Sequence, residues 1–201
     1  MKSDEILNLA RSVIQREIDG IATLMDQMDD SFVEVVEKML DCEGHVLVTG
    51  AGTSNPVAAR LAHLLSCCGT PALFIHPGDS QHGLAGAVTG KDILIAISKG
   101  GETTEINHLA QVAKARGATV IAMTEKPEST LGKMSHAILP VKAPPEGDPH
   151  GMIATGSSLV NSAMGDALCV VLLQLRGYSL EKFGETHPGG AVGRKLSNSV
   201  E

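Results

Sequence analysis

The hydrophobic pattern at the start of the chain is helical. Between positions 5 and 39, apolar residues recur mainly at spacings of three and four, which place them on one face of a helix. The polar run Asp29-Asp30-Ser31 interrupts this pattern, and Asp and Ser commonly cap helix N-termini. We therefore predict two leading helices that meet at this run.

The rest of the chain alternates between short apolar runs and helical patterns. The runs are bounded by turn residues and lack alternation of polar and apolar positions, which is typical of strands buried on both faces. They lie at 45–48, 72–75, 93–97, 119–123 and 137–141, and the helical patterns at 56–68, 104–116, 129–134 and 154–175. This alternation predicts an α/β fold with a three-layer, doubly wound, five-stranded parallel sheet.

Length and composition favour a single domain. The chain has 201 residues, of which 43% are hydrophobic and 19% charged, so a sizeable core is expected. We assign residues 1–42 to leading helices, 43–195 to the α/β core and 196–201 to a tail, and 143–151 to a Pro-rich loop. No apolar stretch approaches the roughly 20 residues that span a bilayer, and no secretion signal is recognisable, so we expect a cytoplasmic protein without a membrane segment.

Charge, aromatic content and cysteine spacing exclude other classes of protein. A net charge of −7 and an aromatic content of 2% argue against a nucleic-acid surface, which needs clustered basic residues and stacking platforms. The four cysteines form no CxxC pair and have no histidine at zinc-ligand spacing. We interpret them as reduced, mostly buried packing residues, and we expect neither a metal nor another cofactor.

Three loops follow strands at the carboxyl edge of the predicted sheet, where ligands bind in folds of this kind. We call residues 49–55 the first loop, 98–103 the second loop and 76–83 the third loop. The first and second loops carry hydroxyls, at Thr53 and Ser54 and at Ser98 and Thr103. They have neither the third glycine of a dinucleotide fingerprint nor a Walker lysine, so we predict that they hold one phosphomonoester between them.

The same loops carry a resemblance to a known family. The patterns GxGTS in the first loop and SxxGET in the second resemble those of the sugar isomerase (SIS) domain family, which binds phosphosugars. The third loop, residues 164–168 and the run His-Pro-Gly-Gly-Ala-Val-Gly-Arg at 187–194 are similar to the arabinose-5-phosphate isomerase branch. The resemblance covers nearly the full chain and implies a flavodoxin-like sheet. Members of the branch often carry two further CBS domains, whereas we expect this chain to be a stand-alone SIS domain.

Two loop positions depart from the branch. Its members usually have a lysine where this chain has Thr53, and Asn and Ser where this chain has Lys99 and Gly100. One cation is therefore missing from the first loop, and another stands in the second. Lys99 either compensates for the missing charge or points to solvent, and the sequence leaves both alternatives open.

Interconversion of an aldose and a ketose through an enediol sets the list of catalytic candidates. It needs a base that moves a proton between C1 and C2 and an acid/base group for the hydroxyl proton, so carboxylates and imidazoles are the expected tools. Glu102 is better explained as a charge at a helix N-terminus. The resemblance implies that Glu105, His187 and His82 occupy catalytic positions, and Glu105 is the predicted base.

The resemblance also extends the binding site and implies an oligomer. It places Thr155 and Ser157, near the start of the last long helix, at the phosphosugar. In related SIS proteins a neighbouring subunit supplies the C-terminal histidine, so His187 implies a homo-oligomer, dimer or tetramer, with shared active sites. The predicted substrate-binding residues are Gly52, Thr53, Ser54, Ser98, Lys99, Gly100, Gly101, Thr103, Thr155 and Ser157.

The first hypothesis is therefore a sugar-phosphate isomerase similar to arabinose-5-phosphate isomerase, and two alternatives stay open. A non-catalytic phosphosugar sensor would keep the loops but would have no use for Glu105 and His187 together. An isomerase of the hexulose-6-phosphate type is expected to carry a glutamate on the helix after Thr155, where this chain has Leu159 and Val160.

Overall fold

The leading segment of the chain is helical, as predicted, but it has an additional break. The computed structural model describes residues 2–189 and 193, so the tail and most of the C-terminal motif lie outside the described residues. The helices are α1 (Ser3–Ala22), α2 (Leu24–Gln27) and α3 (Asp30–Leu40). Asp29 accepts a hydrogen bond from the backbone N–H of Ser31 at 2.9 Å, which confirms the predicted boundary. The break at Thr23 was not predicted.

Five parallel strands form one sheet. They are β1 (Val46–Gly50), β2 (Ala72–Phe74), β3 (Ile93–Ile97), β4 (Thr119–Thr124) and β5 (Ala137–Pro140), in the order β2-β1-β3-β4-β5. The doubly wound prediction is confirmed. β2 lies on one side of β1 and β3 on the other, so the direction in which successive strands are added reverses at β1. The carboxyl ends of β1 and β3 therefore flank the crevice where ligands bind in folds of this kind.

Helices cover both faces of this sheet. They are α4 (Ser54–Cys67), α5 (Pro77–Ser80), α6 (Thr104–Ala115), α7 (Thr130–Met134), α8 (Gly156–Leu175) and α9 (Leu180–Thr186). The prediction of α4, α6, α7 and α8 is confirmed to within two residues at each end. By contrast, α5, α9 and a 3-10 turn at Leu84–Ala87 were not predicted, so the third loop is partly helical.

The core is divided by the sheet into two layers. Alternate strand residues such as Val48 and Ile95 pack with α3, α4 and α8 on one face, while Leu47 and Leu94 pack with α6 on the other. An ion pair between Arg60 and Asp166, with N–O distances of 2.7 and 3.1 Å, joins α4 to α8. The two helices also pack against each other in the first core layer.

The helix α8 corrects one expectation from the sequence. By length and composition alone its 20 residues are apolar enough to cross a membrane, although no such stretch was expected. Its residues Val160, Met164, Leu168 and Leu172, spaced by four, are buried in the first core layer. Core packing accounts for the apolar character of that face.

The cysteines also differ from expectation. All four are free, but Cys42, Cys67 and Cys68 are only half-buried, and Cys169 alone among them is buried. Desolvation raises the pKa of the Cys169 thiol to about 12, so this side chain packs as a neutral thiol.

Candidate functional site

The first loop makes a close turn between β1 and α4. A side chain at Gly50 would place its Cβ 2.4 Å from the carbonyl oxygen of Ser54, so the strand and the helix approach closely only because this position is glycine. Gly52 has a φ of +57°, which also favours glycine. Thr53 precedes the helix, and its hydroxyl makes no capping hydrogen bond. That hydroxyl is therefore free to bind another group.

The second loop is held by its own hydroxyls. Ser98 is buried, its Oγ lies 3.3 Å from Oγ1 of Thr103, and it accepts a hydrogen bond from the N–H of Gly101 at 3.2 Å. Gly101 has a φ of +67°, and a Cβ there would lie 1.9 Å from Oγ of Ser129. The second loop is thus closely packed, and its residues Lys99 and Gly100 are exposed.

A cavity of about 160 Å³ lies between these loops and the start of α8. Four of the predicted binding residues line it, and they come from three separate elements. The other predicted residues of the second loop are not among the residues that line the cavity, although they are neighbours of Lys99 in sequence: Ser98, Gly100, Gly101 and Thr103. Thr155 lines a different, small pocket against α1. The cavity is lined by Thr53, Ser54, Val57, Lys99, Ala154, Ser157, Ser158 and Asn161.

The ammonium group of Lys99 lies between two carboxylates. Its Nζ is 2.9 Å from Oε1 of Glu146 and 3.9 Å from Oε1 of Glu125. Because Lys99 also lines the cavity, its side chain is turned towards the site and is not simply solvated. The side chain therefore forms an ion pair, and that its charge replaces the cation missing from the first loop stays a prediction.

Glu146 is the residue of the site that sequence reasoning missed. It lies in the Pro-rich loop, and its side chain is only 3% exposed. It accepts hydrogen bonds from the hydroxyl of Ser157, from Lys99, and from the N–H groups of Gly156 and Ser157 at the start of α8. Burial alone raises the pKa of Glu146, but the hydrogen bonds from Ser157 and Lys99 outweigh it and hold the pKa below its ordinary value.

The leading helices hold the Pro-rich loop in place. Gln27 pairs with the backbone of Lys142, donating to its carbonyl at 3.0 Å and accepting from its N–H at 2.7 Å. Arg16 donates to the carbonyl of Gly147 at 2.9 Å. The segment that carries Glu146 is therefore fixed on both sides by α1 and α2.

The two glutamates of the SxxGET region occupy different environments. Glu102 accepts hydrogen bonds from the N–H of Thr130 at 2.8 Å and from its hydroxyl at 2.7 Å, and these bonds lower its pKa. It therefore stabilises the start of α7, in line with a structural role. Glu105 is half-buried in the first turn of α6, and its carboxylate makes no hydrogen bond or ion pair with any residue that the structure describes.

The structure does not bring the predicted histidines to the cavity. His82 is exposed just after α5. The ring of His187 stacks on Phe183 with centroids 3.8 Å apart, and its Nε2 lies 3.3 Å from Sγ of Cys67. Cys67 ends α4, whereas the cavity lies at the opposite end of that helix. Within residues 2–189 and 193, no group of three or more His, Cys, Asp or Glu side chains is arranged to hold a metal ion.

Comparisons with known sequences identify relatives of this chain. Residues 39–171 match the sequence profile of the SIS domain. The chain is 41% identical over 186 residues to arabinose 5-phosphate isomerase KdsD of Yersinia pestis, covering 92% of this chain and 57% of that protein. It is 34% identical to arabinose 5-phosphate isomerase GutQ of Salmonella typhi, covering 98% and 62%. The chain therefore spans about 60% of the length of these curated relatives.

Solved structures show the same fold. A protein of Listeria monocytogenes superposes with a TM-score of 0.91 at 37% identity, covering 94% of this chain and all of the other. A protein of Escherichia coli, solved in complex with a sugar phosphate, has the same TM-score and coverage at 28% identity.

Proposed function

The chain belongs to the SIS domain family, and on that premise we propose that it is a sugar-phosphate isomerase that interconverts an aldose and a ketose through an enediol. Its curated relatives are named arabinose 5-phosphate isomerases, which makes arabinose 5-phosphate the first substrate to test. The observation that carries the proposal is an ionised, nearly buried carboxylate, Glu146, that contacts Lys99 and Ser157, two residues that line one small cavity.

The cavity offers a place for the phosphate. Thr53, Ser54 and Lys99 line it and bring two hydroxyl groups and one cation to its wall, and α4 begins there. Its volume of about 160 Å³ is below the lower end, roughly 300 Å³, of pockets for drug-sized ligands. A small phosphorylated metabolite matches this size and polarity.

Two carboxylates compete for the role of the base. Glu146 adjoins the cavity through Ser157 and Lys99 and is ionised at neutral pH, as a general base for C–H proton transfer must be. Glu105 is implied by the family resemblance and stays a candidate for the second proton transfer. We therefore propose Glu146 as the base, in place of Glu105.

His187 enters the proposal through a second copy of the chain. It lies at the end of α4 remote from the cavity of its own chain. We propose a homo-oligomer, dimer or tetramer, in which this histidine completes a neighbouring site. The exposed apolar residues Ile6, Leu7, Ile14 and Ile18 of α1 and Val170 and Leu175 of α8 offer surface for such contacts. We also propose a cytoplasmic location, where soluble sugar-phosphate metabolism takes place.

The decisive experiment measures proton exchange. The protein is incubated in heavy water with a panel of aldose and ketose phosphates of four to seven carbons, and deuterium at the carbon next to the carbonyl is followed by NMR. We expect exchange and isomerisation with at least arabinose 5-phosphate. Binding without exchange across the whole panel would contradict the proposal and favour the sensor.

A further inference from the structure

Lys99 has a backbone as firmly fixed as its side chain. Its carbonyl accepts hydrogen bonds from the hydroxyl of Thr124 and the N–H of Glu125, each at 3.1 Å. Glu125 in turn accepts from the N–H of Ala143, at the start of the Pro-rich loop. The end of β4 therefore holds both the second loop and the Pro-rich loop, and it sets where the ammonium of Lys99 meets Glu146.

The surroundings of Glu146 contain one charged partner in direct contact. From α8 it receives two N–H groups and the hydroxyl of Ser157, all of them neutral. From α1, Arg16 reaches only the neighbouring carbonyl of Gly147. From β4, Glu125 lies near Lys99 and adds negative charge. Among the described residues, Lys99 thus provides the positive charge that balances this carboxylate.

We propose that Lys99 is the positioning residue that orients Glu146 and balances its charge at the wall of the phosphate cavity. The catalytic part of this inference rests on the proposed function. Burying an ionised carboxylate costs free energy unless the carboxylate is ion-paired and hydrogen-bonded, and Lys99 is the ion-pair partner of Glu146. Lys99 also lines the cavity with hydroxyl and amide side chains, so its ion pair with Glu146 lies beside the cavity.

If Lys99 only held the Pro-rich loop in place, its removal would detach the loop. The proposal expects a different outcome. Without the lysine, Glu146 keeps its three donors on α8, so the Pro-rich loop retains its attachment. What changes is the charge balance at the carboxylate. An opposite charge at this distance lowers a carboxyl pKa by about 1 to 3 pH units. Removing it should therefore raise the pKa of Glu146 while the fold persists.

The test measures this pKa directly, without requiring turnover. The Cδ resonance of Glu146 is titrated by carbon-13 NMR in the full chain and is assigned from its absence in Glu146→Gln. Wild type is compared with Lys99→Met, Lys99→Gln and Lys99→Arg. Lys142→Met serves as the matched control, because this exposed lysine lies beside the Pro-rich loop and forms no ion pair with a described residue. Circular dichroism checks that each variant is folded.

We expect Lys99→Met and Lys99→Gln to raise the pKa of Glu146 by about 1 to 3 pH units, with little change in Lys99→Arg and Lys142→Met. If kcat/KM is measurable, its acidic limb should move to higher pH in the same variants. An unchanged Glu146 titration in both neutral variants would overturn the inference. A raised pKa in a protein whose wild type isomerises no sugar phosphate would instead support the positioning role and refute the proposed function.

Discussion

His187 contacts Cys67, with Nε2 3.3 Å from Sγ, and thereby sits far from the cavity. Thirteen helical steps separate Cys67 from Ser54 at the start of α4, which corresponds to about 20 Å at 1.5 Å per residue. The imidazole cannot reach the cavity of its own chain across that distance. Any catalytic use of His187 therefore depends on a second copy.

A mixing experiment tests this shared site. We expect His187→Ala and Glu146→Gln to be nearly inactive separately, and an exchanged mixture to recover up to about a quarter of wild-type turnover, because half of the dimers then carry one intact site of two. Subunit exchange is followed by native mass spectrometry. Exchange without recovered activity would show that each site uses groups of one chain.

The identity of the base can be separated from general activity. We expect Glu146→Gln to lower kcat and solvent proton exchange by about 100-fold or more, since the amide cannot accept the proton. Glu105→Gln should also lower turnover if it handles the hydroxyl proton, but some exchange at carbon should persist. Retained exchange in Glu146→Gln together with its loss in Glu105→Gln would assign the base to Glu105.

Acid stability should report on Glu146. The pKa of Glu146 is lower in the folded chain than the ordinary glutamate value, so its ionisation stabilises the fold above the unfolded pKa. That contribution is lost as the pH falls through the folded pKa. In urea titrations between pH 7 and pH 3, the stability difference between wild type and Glu146→Gln should therefore shrink with decreasing pH. A difference that stays constant across this range would contradict the ionised carboxylate.

A matched pair of glycines tests how tightly the second loop is built. Gly52 and Gly101 both have positive φ, but a Cβ at Gly52 meets open space, whereas one at Gly101 overlaps Ser129. We expect Gly52→Ala to cost about 1 to 2 kcal/mol of unfolding free energy, the cost of a left-handed backbone alone. Gly101→Ala should cost clearly more, because the overlap adds to the same backbone cost. Equal losses in urea unfolding would show that the second loop relaxes easily.

Much of the fold could be predicted from local patterns. Strands buried on both faces leave uninterrupted apolar runs, and this made β3 predictable to the residue and the other strands nearly so. The helices α5 and α9 escaped prediction because they are short and rich in turn-forming or polar residues, such as Pro77 and Gly78. In these segments, tertiary context rather than local periodicity sets the conformation.

The site was predictable only in part, for the same reason. Thr53, Ser54 and Lys99 stand in glycine loops at strand ends, which the sequence displays. Glu146 stands in a loop whose composition indicates exposure, and its partners lie elsewhere in the chain, on Lys99, 47 positions earlier, and on Gly156 and Ser157 at the start of α8. The sequence carried no signal for it, because Thr155 has the pattern of an ordinary N-cap, whereas in the structure Glu146 accepts from the first N–H groups of α8 instead.

The attachment of the Pro-rich loop to the leading helices has a consequence for the order of folding. The contacts of Arg16 with Gly147 and of Gln27 with Lys142 join residues 131 and 115 positions apart. We expect contacts of such separation to form after the local βα units, because closing a long loop costs more conformational entropy than local pairing does. The N-terminal helices can therefore dock on the Pro-rich loop that carries Glu146 only after most of the chain has folded. We therefore expect detachment of these helices to be a local opening that loosens the Pro-rich loop on both sides of Glu146, while the contacts of Glu146 with Lys99 and α8 and the central strands persist.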